Sequence, residues 1–245
     1  GDKYIGEFSD GRPEGKGEKI YSYGDKYIGE FSAGRPEGKG EKIYSNGDKY
    51  IGEFSDALEE GKGEMFYVND PDGWKHYKGD WSEGYENGQG VVIFVNGTKY
   101  TGEFKKSRFH GKGELVWNEK EKYIGEFVEH YREGEGEYFY ESGSRYKGSF
   151  KENELSGKGT LYYFNGSKYT GEWKESWEHG EGTMEYKNDE DGKFKYVGQW
   201  KNGLIHGQGT MEYVDGRKYV GVWENGKEAK GKTTLAKFTT DEKYY

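Results

Sequence analysis

A five-residue motif, Tyr-x-Gly-x-Phe/Trp, begins at Tyr4, Tyr27, Tyr50, Tyr77, Tyr100, Tyr123, Tyr146, Tyr169, Tyr196 and Tyr219, a 23-residue spacing that twice widens to 27. A fixed period of this length marks an array whose repeats bury their apolar faces against one another. Eleven residues after each of the first nine tyrosines comes Gly-x-Gly, from Gly15/Gly17 to Gly207/Gly209, and six residues after each first glycine stands a further aromatic, from Tyr21 to Tyr213. Within a repeat the motif residues alternate, as in Tyr100-Thr101-Gly102-Glu103-Phe104, which is the two-residue period of a strand. Each repeat therefore reads as a β-hairpin, with turns such as Asn46-Gly47, Asn96-Gly97 and Asn165-Gly166 where positive φ is easily reached. Proline occurs only at Pro13, Pro36 and Pro71, all in expected loops.

Alternation separates two faces. One carries the Tyr, Gly and Phe/Trp series, and the other carries residues such as Ile5, Glu7, Lys16 and Glu18. Whether the third aromatic shares the first face depends on the turn that follows it, and the spacing leaves that open. The expected fold is all-β: a single-layered, twisted β-hairpin solenoid of about ten repeats, one array over 1–245. Its last repeat is degenerate or capping, because Ala229-Lys230-Gly231 replaces Gly-x-Gly.

Composition supports folding through rings rather than aliphatics. Ile, Leu, Val and Phe make up 37 of 245 residues, under the ~20% at which disorder becomes the default reading. The chain nevertheless has 24 Tyr, 13 Phe, 7 Trp and 43 Gly, and disordered chains are poor in aromatics. A net charge of −9 argues against nucleic acid as a partner. Without cysteine there is no disulfide or thiolate metal site, which fits a reducing compartment. The longest apolar run, Val91 to Val95, is far short of the ~20 residues of a membrane helix. The opening at Gly1, without methionine and partway through a repeat, fits an excised or processed segment.

Tyr-x-Gly-x-Trp/Phe followed by Gly-x-Gly at a 23-residue period resembles the MORN (membrane occupation and recognition nexus) repeat over essentially the whole chain. The resemblance implies a groove-forming β-solenoid that serves cytoskeletal, ciliary or membrane-contact assemblies, and hence a cytoplasmic setting. Three departures stand out: four-residue insertions before Tyr77 and Tyr196, loss of the loop glycine at Ala57, Ser107, His130, Asn153 and Ser176, and the altered last repeat.

Several apparent sites dissolve on closer reading. Gly226-Lys227-Glu228-Ala229-Lys230-Gly231-Lys232-Thr233 fits the P-loop pattern, but a P-loop needs a following helix. Only twelve residues remain and Thr239-Thr240 interrupts them, so the octet reads as a frayed terminal repeat. Asn69-Asp70-Pro71-Asp72-Gly73 and Asn188-Asp189-Glu190-Asp191-Gly192 place carboxylates before glycine. EF-hand spacing fails there, with Val68 and Lys187 at the first ligand position and Gly79 and Gly198 at the twelfth. His110, His179 and His206 recur just before Gly-x-Gly, which suggests a loop role rather than zinc. Glu7, Glu30, Glu53 and Glu103 fall at repeat positions, so no catalytic residue, cofactor or metal site is expected.

The aromatic face remains. A single-layered sheet is expected to leave a strip of rings accessible, and such strips mark interaction surfaces. The expected partner-binding groove is formed by Tyr77 and Trp81, Tyr100 and Phe104, Tyr123 and Phe127, Tyr146 and Phe150, Tyr169 and Trp173, and Tyr196 and Trp200. Variable loop residues Leu58, Tyr85, Phe109, Tyr131, Leu155, Trp177 and Ile205 border it and differ between repeats.

The resulting expectation is a non-enzymatic protein-interaction scaffold whose groove holds an extended or helical segment of a partner protein. Two alternatives stand beside it: an anionic-lipid or membrane-apposition module, disfavoured by the charge, and a targeting domain cut from a larger enzyme. Open edge strands add a homodimer or end-to-end association.

Overall fold

The computed structural model describes residues 1–235, so Thr239-Thr240 and the end of the expected array lie outside the described residues. The chain divides into two compact units, Gly1–Tyr131 and Arg132–Tyr245. The first holds β1 (Lys3–Ser9), β2 (Arg12–Ile20), β3 (Lys26–Ser32), β4 (Arg35–Ile43), β5 (Lys49–Ser55), β6 (Leu58–Phe66), β7 (Trp74–Ser82), β8 (Tyr85–Phe94), β9 (Lys99–Lys105), β10 (Arg108–Val116) and β11 (Lys122–Val128). The second holds nearly all of β12 (Tyr131–Phe139), then β13 (Arg145–Lys151), β14 (Glu154–Tyr162), β15 (Lys168–Lys174), β16 (Trp177–Glu185), β17 (Lys193–Lys201), β18 (Leu204–Tyr213), β19 (Arg217–Glu224) and β20 (Lys227–Leu235). In each unit consecutive strands pair antiparallel in chain order, two strands to a repeat, and no helix occurs among the described residues.

Glycine is what makes a single layer stable. In the repeat of Tyr100, Gly102 faces Gly113 across the hairpin, and Gly113 faces Gly125 of the next repeat. A row of bare backbone thus crosses the strands, and the Tyr100 ring lies flat on it. A Cβ added at Gly113 would stand 2.6 Å from Tyr100 Cζ, and one at Gly102 would stand 2.6 Å from the Gly113 backbone. The phenol then donates a hydrogen bond to the Glu103 carbonyl at 2.9 Å. This bond recurs in all ten repeats, from Tyr4–Glu7 to Tyr219–Val222, at 2.9–3.2 Å. It satisfies the one polar atom of a ring that would otherwise be costly to bury.

Within each unit a tyrosine with a following repeat meets two ring edges. Tyr27 packs T-shaped on Phe31 of its own repeat at 5.0 Å and on Phe54 of the next at 4.9 Å. The same arrangement joins Tyr169 to Trp173 and Trp200. One repeat therefore supplies the platform and its successor supplies half the wall, so packing energy is shared between neighbours.

The first glycine of Gly-x-Gly has a different task. Gly111 takes φ +56° at a register shift between His110 and Gly113, a β-bulge. The freed Lys112 N–H donates to Glu103 Oε1 at 2.9 Å, and Gln89 N–H likewise donates to Asp80 Oδ2 at 2.8 Å. Glu7, Asp80 and Glu103 thus act as bulge caps. The hairpin turns keep their conformation where glycine is lost: Ala57, Ser107, His130, Asn153 and Ser176 hold φ of +63° to +73°, against +74° at Gly11. The insertions are ordinary turns, in which Asp70 Oδ1 accepts from the Asp72 and Trp74 amides and Asp189 Oδ1 accepts from those of Asp191 and Lys193. Gly226 to Thr233 run through a turn into β20, which pairs antiparallel with β19.

Candidate functional site

The question left open by the spacing has a definite answer: the third aromatic lies on the ring face. Phe54 pairs with Glu59, Trp81 with Glu86 and Trp173 with Glu178, which puts these glutamates on that face. The hydroxyls of Tyr44, Tyr67 and Tyr163 donate to them in turn. Glu59 and Glu86 are buried. Lys42 neutralises Glu59 at 3.2 Å while standing 4.3 Å over the Tyr44 ring. Met65 occupies the corresponding position beside Glu86, whose oxygens instead accept from Tyr67 and Ser107. Burial and the adjacent carboxylates drive the Tyr44 and Tyr67 phenols far above their ordinary value.

Two places where glutamate is absent from this position take opposite forms. At Phe109 in the first unit rings fill it. Phe109 stacks on Tyr100 at 3.8 Å, and Trp74, delivered by the insertion, packs on Phe109 at 6.2 Å, on Phe104 at 5.9 Å and on Tyr67 at 5.9 Å. In the second unit a groove of about 530 Å³ opens instead. Its floor and walls are Tyr138, Tyr140, Leu155, Leu161, Tyr163 and Trp173, with Trp177 at the rim and Arg132 and Glu178 as its charged residues. Arg132 sits 5.0 Å over the Tyr138 ring, which tilts against Tyr140 at 4.5 Å. Its guanidinium also donates to the Asn153 carbonyl at 2.8 Å. Tyr163 donates to Glu178 Oε1 at 2.6 Å, closing the other end.

The expectation of an accessible strip of motif rings is corrected. Tyr77, Tyr100, Tyr123, Tyr146, Tyr169 and Tyr196 have no exposed surface, and Trp81, Phe104, Phe127, Phe150, Trp173 and Trp200 are at most 6% exposed. Rings lying flat on glycine and walled by two neighbours need no second layer to be covered.

The bordering residues divide by register and are not loop residues. Leu58, Tyr85, Tyr131 and Trp177 open β6, β8, β12 and β16 and are about half exposed, whereas Phe109, Leu155 and Ile205, one position further along, are buried on the ring face. Of the nineteen residues expected at the site, only Trp173, Leu155 and Trp177 line the groove. Tyr138, Leu161 and the Tyr–Glu pairs were missed. For the Tyr–Glu pairs the visible signal was the alternation of Glu59, Glu86 and Glu178 with Leu155 and Ile205 at one repeat position. Among the described residues no group of three or more His, Asp or Glu could hold a metal, and the buried Nδ1 atoms of His179 and His206 have no hydrogen-bond partner.

Three solved structures that a structural comparison matches to this chain are TCP domains. The TCP10 domain of Danio rerio CPAP in complex with a peptide of Danio rerio STIL is 15% identical, with TM-score 0.49, over 95% of this chain and 98% of that one. The wild-type TCP10 domain of Danio rerio CPAP is 14% identical, with TM-score 0.45, over 89% and 99%. The SAS-4 (dCPAP) TCP domain of Drosophila Melanogaster, in complex with a Proline Rich Motif of Ana2, is 16% identical, with TM-score 0.38, over 68% and 86%. No curated protein sequence matches the chain. The MORN repeat model, however, matches residues 4–26, 27–49, 50–70, 77–99, 100–120, 123–145, 146–168, 169–190, 196–216 and 219–240, each starting at a motif tyrosine. With ten in-phase matches along its length, the chain belongs to the MORN repeat family.

Proposed function

We propose that this chain is a non-enzymatic protein-interaction scaffold, and that the groove of its second compact unit holds an extended segment of a partner protein. One observation carries the reading: on the ring face, Tyr138, Tyr140, Leu155, Leu161, Tyr163 and Trp177 line an open trough of about 530 Å³. Tyr and Trp give large rigid contact area at small entropic cost, with polar tips that fix a ligand's orientation. The trough crosses three successive repeats, a span suited to an extended chain rather than to a compact small molecule. Peptides are bound in two of the TCP-domain structures, and the same class of ligand is proposed here on the groove's own chemistry. The setting expected of MORN arrays, a cytoskeletal or ciliary assembly in the cytoplasm, is part of the proposal.

A photo-crosslinking amino acid placed at Trp177, on the groove rim, tests the assignment against the same probe at Phe164, which is exposed but does not line the groove. Protein adducts are expected from position 177, and excess free groove-containing protein should compete them away. Adducts of equal yield from both positions, or none from 177, would refute the groove.

A further inference from the structure

The third-aromatic phenols fall into two groups. Tyr44, Tyr67, Tyr163 and Tyr213 donate to a glutamate of the following repeat: Glu59, Glu86, Glu178 and Glu228. Tyr21, Tyr140 and Tyr186 have Pro36, Leu155 and Ile205 at that position, and their hydroxyls have no partner among the described residues. The array thus displays four times what this point of the face accepts, a carboxylate oxygen under a phenolic O–H.

The three unpaired phenols differ in surroundings. Tyr21 is set among Asp2 and Asp25, and Tyr186 beside Asp189 and Glu178, so a further carboxylate would be repelled there. Tyr140 instead lines the groove, one ring away from the Arg132 guanidinium. Burial pushes its phenol up while the Arg132 charge pulls it down. Leu155 and Leu161 supply apolar walls on either side.

Building on the groove reading above, we infer that Tyr140 and Arg132 form its selectivity element and that the bound segment presents an Asp or Glu side chain to them. The carboxylate accepts the Tyr140 hydroxyl as Glu178 accepts that of Tyr163, and neighbouring apolar residues of the segment rest on Leu155 and Leu161. Charge-assisted hydrogen bonds of this kind are about twice as strong as neutral ones.

The test is fluorescence anisotropy with a labelled decapeptide of alternating serine and leucine carrying one central glutamate, measured against its glutamine twin. The glutamate peptide is expected to bind about tenfold more tightly, with the preference shrinking as salt rises. Tyr140→Phe should remove most of the preference. Leu155→Glu installs in cis the carboxylate that other repeats carry, and should abolish the preference while the far-ultraviolet spectrum stays unchanged. Equal binding of the twins alongside intact crosslinking at Trp177 would overturn the carboxylate assignment and leave the groove standing. Binding of neither peptide, or a preference that survives Leu155→Glu, would overturn it as well.

Discussion

Around Trp74 the ring face of the first compact unit is closed, and between Arg132 and Glu178 that of the second is open, although the two regions follow one repeat pattern. In the closed region the insertion delivers an indole into a cluster with Phe94, Phe104 and Phe109. The second insertion puts Lys193 at the same repeat position, where it pairs with Asp191 at 2.7 Å, and leaves the next residue, Phe194, more than half exposed. The strand framework, glycine row and tyrosine–carbonyl bonds do not differ between them. Occupancy of the face is therefore set by a few positions per repeat that the framework leaves free, and those positions are where selectivity can vary without endangering the fold.

Removing the filler is the strongest way to break this contrast. Trp74→Ala should cost about 3–5 kcal/mol, whereas Lys193→Ala should change stability by less than about 0.5 kcal/mol. Chemical denaturation monitored by hydrogen exchange in the affected repeats would check both, and equal losses would show that the indole fills nothing. A smaller effect separates the paired from the unpaired phenols. Tyr163→Phe removes a 2.6 Å bond to a carboxylate and should cost about 2 kcal/mol, while Tyr140→Phe breaks no hydrogen bond among the described residues and should be close to neutral. The smallest change concerns the turns that both regions share. Ala57→Gly relieves a left-handed residue at φ +71° and should stabilise by about 1 kcal/mol in thermal melts, even though it adds chain entropy to the unfolded state.

Much of this architecture was legible in the residues. Ten tyrosines in phase, with Gly two residues on and Phe or Trp four residues on, fixed strand, face and repeat together, because a two-residue alternation admits only one side for the ring series. The fate of those rings was not legible. Alternation says which side a ring is on, but not that it lies flat on its own glycines, and only that geometry makes a ring on a single layer inaccessible. The candidate groove was hidden for a related reason. Leu155 and Trp177 are both variable residues near a turn, yet a one-residue difference in position sends Leu155 to the ring face and Trp177 to the rim. Tyr138 and Tyr140 carried no mark in the sequence beyond an otherwise regular pattern, because what distinguishes Tyr140 is a glutamate that its neighbour repeat lacks.

The four-residue insertions stretch β7 and β17 to nine residues and β8 and β18 to ten, yet Gly79 still faces Gly90 and Gly198 still faces Gly209. Ribbon width and rung phase are thus uncoupled: the added residues broaden one rung, and a register shift between Trp74 and His76, and between Lys193 and Lys195, restores the phase, so that Trp74 shares the ring face with Tyr77 three positions on. Such an array can acquire a wider shelf at any chosen rung without re-indexing the remainder, because a bulge takes up the residue that strict alternation cannot place.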